Sequence, residues 1–117
     1  LQQDAHLGHD TFTRGYIQNE KIETCIQALK NFLKILQQYQ ITQDDRIRAV
    51  ATSSVREAAN RNDFLDRMYI ATGINVHIAE EAEVNRYTYM AVYPLLAADK
   101  RFAKAETLII ETGAGSA

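Results

Sequence analysis

Ile47-Arg48-Ala49-Val50-Ala51-Thr52-Ser53-Ser54-Val55-Arg56 passes from apolar residues to a run of hydroxyls and then to an arginine. Ile47, Ala49 and Val50 mark a short strand, and Val55 to Ala59 reads as a short helix. A strand that ends in Thr and Ser resembles a helix N-terminus, where hydroxyl side chains satisfy otherwise unpaired N–H groups. One strand-to-helix step is common, so its meaning depends on what lies on either side.

On the N-terminal side, Ile22, Cys25, Ile26, Leu29, Phe32, Leu33 and Leu36 recur at spacings of three and four. That predicts an amphipathic helix from about Asn19 to Tyr39, with Asn19 or Gln18 as its cap. Residues 1 to 18 are polar, hold Gly8 and Gly15, show no sustained periodicity and read as loop or as the tail of a missing element. On the C-terminal side, Asn60 to Asn62 break the short helix, and Asp63 is expected to cap a second one carrying Phe64, Leu65, Met68 and Ile70. Gly73 closes that helix as its C′ residue. Ile74, Val76 and Ile78 alternate with Asn75 and His77, which predicts a strand, and helical spacing resumes from Glu80 through Val84, Tyr87, Ala91 and Leu95. Pro94 is expected to kink or restart that helix. Thr107 to Ile110 is a continuous apolar run that suits a buried strand. Helices and strands in this alternation make an α/β layer fold the natural reading.

The 117 residues, 46% hydrophobic and 24% charged, fit one soluble domain or one lobe of a larger one. A net charge of −2 lacks the basic footprint of a duplex nucleic-acid binder. No apolar run approaches the roughly 20 residues of a membrane helix, and no basic-then-apolar leader opens the chain, so a cytoplasmic protein is expected. The single cysteine, Cys25, lies in a helical pattern and is expected to fill core. Any phosphate recognition would therefore be local, through arginines, backbone amides or a metal.

Ligands of open α/β sheets bind beyond the carboxyl ends of strands, and three predicted strand ends carry polar groups. After the first stand Thr52, Ser53, Ser54 and Arg56, where hydroxyls, amides and a guanidinium suit an anion. The simpler use is a serine cap with an exposed arginine. After the second come Glu80, Glu81 and Glu83. Acids in a first helical turn favour the helix dipole, and a carboxylate beside a bound phosphate can orient or deprotonate a water. After the third, Glu111-Thr112-Gly113-Ala114-Gly115-Ser116 places an acid before small residues whose amide N–H groups can form an anion-binding concavity.

Ala51-Thr52-Ser53-Ser54-Val55-Arg56-Glu57-Ala58-Ala59-Asn60, followed by Asp63-Phe64-Leu65 and Thr72-Gly73-Ile74, strongly resembles the exopolyphosphatase/guanosine pentaphosphate phosphohydrolase family. The acidic stretch after Ile78, the terminal Glu111 to Ser116 and the helix from Asn19 to Tyr39 fall where that family has its glutamate-bearing helix, its second phosphate loop and a matching helix. The resemblance implies an actin-like, ribonuclease H-like α/β lobe, a mixed sheet flanked by helices. It also implies a cytoplasmic hydrolase that removes terminal phosphate from inorganic polyphosphate or guanosine pentaphosphate, usually with Mg2+. A homodimer is among the assemblies expected of the parent protein.

Carried over residue by residue, the resemblance puts Arg56 and Ser54 at substrate phosphates, with the backbone of Gly113, Ala114, Gly115 and Ser116. Glu111 becomes the metal ligand. Counting from Ile78 without gaps puts Glu83 on the catalytic glutamate, whereas counting back from Arg86-Tyr87-Thr88-Tyr89 puts Val84 there. Glu83 is preferred because a valine handles no proton. Glu111 stands where the family usually has aspartate, Ala114 replaces the middle of three glycines, and His6 stands where an arginine is usual. Residues 1 to 18 supply no first phosphate loop of Asp-x-Gly-Ser type, and a second lobe is missing. Residues 1–117 are therefore expected to be a partial lobe with little or no activity alone.

Other motifs point less well. His6, His9 and His77 lack zinc-ligand spacing, Ser54 and Ser116 lack a Gly-x-Ser-x-Gly context, and Gly113-Ala114-Gly115 is not a dinucleotide fingerprint. Tyr87, Tyr89 and Tyr93 suggest stacking, but core packing is the commoner use of such residues. A non-catalytic polyphosphate or guanosine-phosphate binding module is the competing expectation, and an ATPase of the wider actin-like superfamily a third.

Overall fold

The computed structural model of the protein describes residues 4–41, 47–102 and 104–111. In chain order its elements are α1 (Leu7–Arg14), α2 (Asn19–Gln38), β1 (Ala49–Ala51), α3 (Ser53–Arg56), α4 (Arg61–Thr72), β2 (Val76–Ile78) and α5 (Glu81–Ala98). The strands pair in parallel, with Ala49 opposite Val76, Val50 opposite His77 and Ala51 opposite Ile78. The Ala79 N–H donates to the Ala51 carbonyl at 2.8 Å and carries the pairing one residue further. Of the mixed sheet expected, the described residues contribute this parallel pair.

The core forms where the apolar stripe of α2 meets α4. Ile22 and Ile26 from α2, Val55 from α3, Phe64 and Met68 from α4, and Ile17 and Ala58 from the connections are all buried. Each large side chain among them contributes about 1.5–3 kcal/mol by leaving water. Val76 and Ile78 on one face of β2 pack on this cluster, as does Ala51 of β1. Cys25 packs on it as well, half-buried, in line with its reading as core filler.

Gly73 ends α4 at φ 70°, with its N–H on the Tyr69 carbonyl, as its position in the sequence predicts. The start of α4 differs from expectation. Asn60 is the flanking residue and Asp63 lies in the first turn rather than at the cap; the Asn60 side chain bonds Ile17 and so makes no cap hydrogen bond. Likewise α3 is a single turn from Ser53 to Arg56, beginning earlier than Val55.

Residues 7–14 form a helix, where the sequence reads as loop. Besides Leu7, which packs on the core, its buried contacts are polar and tertiary, which is why periodicity misses it. Buried Thr11 donates its hydroxyl to the Ser54 carbonyl at 2.6 Å, and buried Asp10 accepts the Gln18 N–H at 3.2 Å. Gly15, at φ 79°, ends the helix with its N–H on the Thr11 carbonyl.

Two expectations of burial fail. Leu108 and Ile110 are 83% and 73% exposed, and Thr107–Ile110 joins no strand among the described residues. A buried strand needs a sheet edge and covered faces, and β1 and β2 are the strands the described residues offer. Helix α5 runs through Pro94 and buries none of its residues. Tyr87, Tyr89 and Tyr93 are each more than half exposed, so they do not pack in the core. Tyr89 and Tyr93 instead lie side by side, ring centroids 5.4 Å apart. Apolar residues are spread around this helix rather than gathered in a stripe, so no single face selects a docking direction against α2 or α4.

Candidate functional site

Parallel pairing brings both strands' carboxyl ends to the same edge of the sheet, with α3 following β1 and α5 following β2. Arg56 closes α3, and its side chain is only 16% exposed. Its Nη1 donates to the Ala79 carbonyl at 2.8 Å and its Nε to Glu57 Oε1 at 2.9 Å. A guanidinium carries five N–H donors, so these two bonds leave Nη2 and the second Nη1 hydrogen for an anion. Ser54 stands two residues earlier in the same turn, its carbonyl held by Thr11.

Glu83 sits in the first turn of α5. Its Oε2 accepts the Glu80 N–H at 3.0 Å, closing one half of a capping box. His77, from the polar side of β2, brings Nε2 within 3.3 Å of Oε2 and 3.4 Å of Oε1. The Glu80 N–H first, and His77 after it, hold the Glu83 carboxyl below its usual range. Ionised at neutral pH, such a group is a better water-orienting acceptor than a proton-abstracting base.

Arg56 and Glu83 are thus joined through one peptide group, since the Ala79 carbonyl and the Glu80 N–H belong to the same unit. Following the bonds, Nη1 and Oε2 are within about 8 Å of each other.

Glu111 is elsewhere. The Thr88 hydroxyl donates to its Oε2, and both line a groove of about 610 Å3 between α5 and the segment bearing Phe102, Ile109 and Ile110. Thr88 is five residues past Glu83 and so about 140° round the helix from it. The described residues therefore do not bring Glu111 onto the face that holds Glu83. Among the described residues no three His, Cys, Asp or Glu side chains cluster as a metal cage. Magnesium typically uses only one or two carboxylates beside waters and phosphate oxygens, so Glu111 fits it as a single ligand and not as part of a cage. Gly113, Ala114, Gly115 and Ser116 lie outside the described residues. Burial pushes the Cys25 thiol up, partly offset by Lys21, which argues against a reactive thiolate.

His77 is the residue that sequence reasoning undervalued. Alternation puts it on the outer side of β2, but its approach to Glu83 depends on the path of the turn at Ala79 and Glu80.

Residues 1–117 match the Ppx/GppA phosphatase family throughout. The chain belongs to that family. Its fold is the actin-like α/β fold of Ppx/GppA structures. The Aquifex aeolicus Ppx/GppA enzyme is similar at 31% identity and a TM-score of 0.69, covering 83% of this chain and 31% of that one. An exopolyphosphatase from Cytophaga hutchinsonii is similar at 28% identity and a TM-score of 0.61, covering 68% of this chain and 25% of that one. A bifunctional 3-dehydroquinate synthase/phosphatase from Fusobacterium nucleatum is 26% identical over 110 residues, 94% of this chain and 16% of that protein. This Ppx/GppA chain thus spans under a third of these relatives' length. No helix among its described residues is long and apolar enough to cross a membrane.

Proposed function

We propose that this chain contributes part of the active site of a phosphoanhydride hydrolase, one that releases terminal phosphate from inorganic polyphosphate or guanosine pentaphosphate. The observation that carries the reading is the junction of Arg56 and Glu83 at the carboxyl ends of two parallel strands, in a Ppx/GppA chain.

Phosphoryl transfer passes through a loose transition state, so positioning and charge stabilisation matter more than full deprotonation of water. Glu83, ionised and fixed by two partners, accepts a hydrogen bond from the attacking water and orients its oxygen towards the terminal phosphorus. The free N–H groups of Arg56, the Ser54 hydroxyl and the backbone of Gly113, Ala114, Gly115 and Ser116 hold phosphate oxygens. Glu111, which bonds Thr88 away from Glu83, would have to approach that face to hold Mg2+, which would supply charge neutralisation there. Alone, the chain is expected to have little activity. A non-catalytic phosphate-binding module is the second reading. It is favoured by the engagement of Glu83 with two donors, which lowers its basicity.

Phosphate release by the full-length protein, compared with Glu83→Gln, separates the readings. Loss of a general base or water-orienting carboxylate costs about 10²–10⁴-fold, and equal rates would remove Glu83 from the chemistry. Polyphosphate binding without release by the wild type would favour the binding module. Turnover of ATP in place of polyphosphate would favour the ATPase.

A further inference from the structure

The Ala79–Glu80 peptide is gripped at both ends. Arg56 Nη1 donates to its oxygen at 2.8 Å, and its N–H donates to Glu83 Oε2 at 3.0 Å. One residue earlier, the Ala79 N–H is fixed on the Ala51 carbonyl, so the unit is tied to the sheet. Resonance couples the carbonyl and N–H of a peptide. A cation at the oxygen therefore strengthens the N–H as a donor, the polarisation that makes hydrogen-bond chains cooperative. The guanidinium is itself held, by Glu57 at 2.9 Å.

The peptide is trans, so its oxygen and its hydrogen point to opposite sides. Arg56 can act on Glu83 without forming a direct ion pair, which would occupy the carboxylate and leave less of it for water. We propose that Arg56 is a positioning residue for Glu83, acting through the shared Ala79–Glu80 peptide, besides any contact it makes with phosphate. The catalytic consequence rests on the reading of Glu83 given above; the positioning itself does not. Among the described residues, the charged and titratable groups near Glu83 are His77 on β2, Glu80 and Glu81 in its own turn, and Arg86 and Tyr87 one turn on along α5, with Arg56 and its partner Glu57 beyond the Ala79 carbonyl.

The test uses the full-length protein labelled with 15N and 13C in glutamate, free of phosphate, observed by NMR across a pH titration. In the wild type the Glu80 amide proton lies downfield and titrates together with the Glu83 carboxyl. In Arg56→Gln, which loses the cation, the Glu80 amide moves upfield and the Glu83 midpoint rises, while Arg56→Lys, which keeps a cation for the carbonyl, moves both less. In polyphosphate assays the kcat of Arg56→Gln falls about tenfold, as expected for an interaction realised in the transition state, rather than KM alone rising. A Glu80 amide and a Glu83 midpoint unchanged in Arg56→Gln would overturn the proposal. Should that variant not fold, Arg56→Lys is read alone, and a Glu80 amide identical to the wild type overturns it equally. If the wild type releases no phosphate, the hydrolase reading fails, yet the NMR result still decides the positioning.

Discussion

The side-chain amide of Asn60 pairs edge to edge with the backbone of Ile17, accepting its N–H at 2.9 Å and donating to its carbonyl at 2.8 Å. Beside this pair the Ala59 N–H donates to the Gly15 carbonyl at 2.8 Å. Together these bonds fix the α1–α2 connection against the segment that follows Arg56. The segment that follows the arginine is therefore anchored by partners more than 40 residues away in sequence.

Asn60→Ala leaves both polar groups of buried Ile17 without this partner. An unsatisfied buried backbone group costs about 1–3 kcal/mol, so a loss of that order is expected in denaturant unfolding. Asn60→Asp keeps the acceptor and should lose less.

Met68 is fully buried between α2 and α4. Truncating such a side chain removes transfer energy and leaves a cavity, so Met68→Ala should destabilise by about 2–5 kcal/mol. Exposed Ile70, two residues on, serves as the control: Ile70→Ala should change the unfolding midpoint little.

Gly15 has open space where a Cβ would stand, but its φ is +79°. Steric crowding is thus removed from the comparison and only the backbone conformation remains. Gly15→Ala should cost about 1–2 kcal/mol through the left-handed conformation alone, measured as a fall in Tm.

Glu83 is held below its usual pKa by the Glu80 N–H and then by His77. Its folded-state value therefore lies below its unfolded value. The stabilisation is fully present above the unfolded value and is lost as pH falls through the folded one. If ionised Glu83 orients the water, the acid limb of kcat/KM lies lower than an ordinary glutamate would place it. His77→Gln should move that limb upward, as read from a pH–rate profile of the full-length protein. A limb that stays in place would remove His77 from the site.

Periodicity and turn chemistry in the sequence determined α2, α4, α5, the two strands and the Gly73 stop, because local spacing and φ requirements are carried by neighbouring residues. The run from Ala51 to Asn60 likewise marked the family and singled out Arg56, and the acidic turn after β2 singled out Glu83. Tertiary structure alone decided the rest. Helix α1 depends on Asp10 and Thr11 finding partners at Gln18 and Ser54, and Thr107–Ile110 lies exposed because an apolar run encodes a preference for burial without the surfaces that would bury it. The junction of Arg56, His77 and Glu83 required the parallel register of β1 and β2. Only that register sets both strand ends side by side, so that one peptide group can be held from the α3 side by an arginine and from the α5 side by a glutamate.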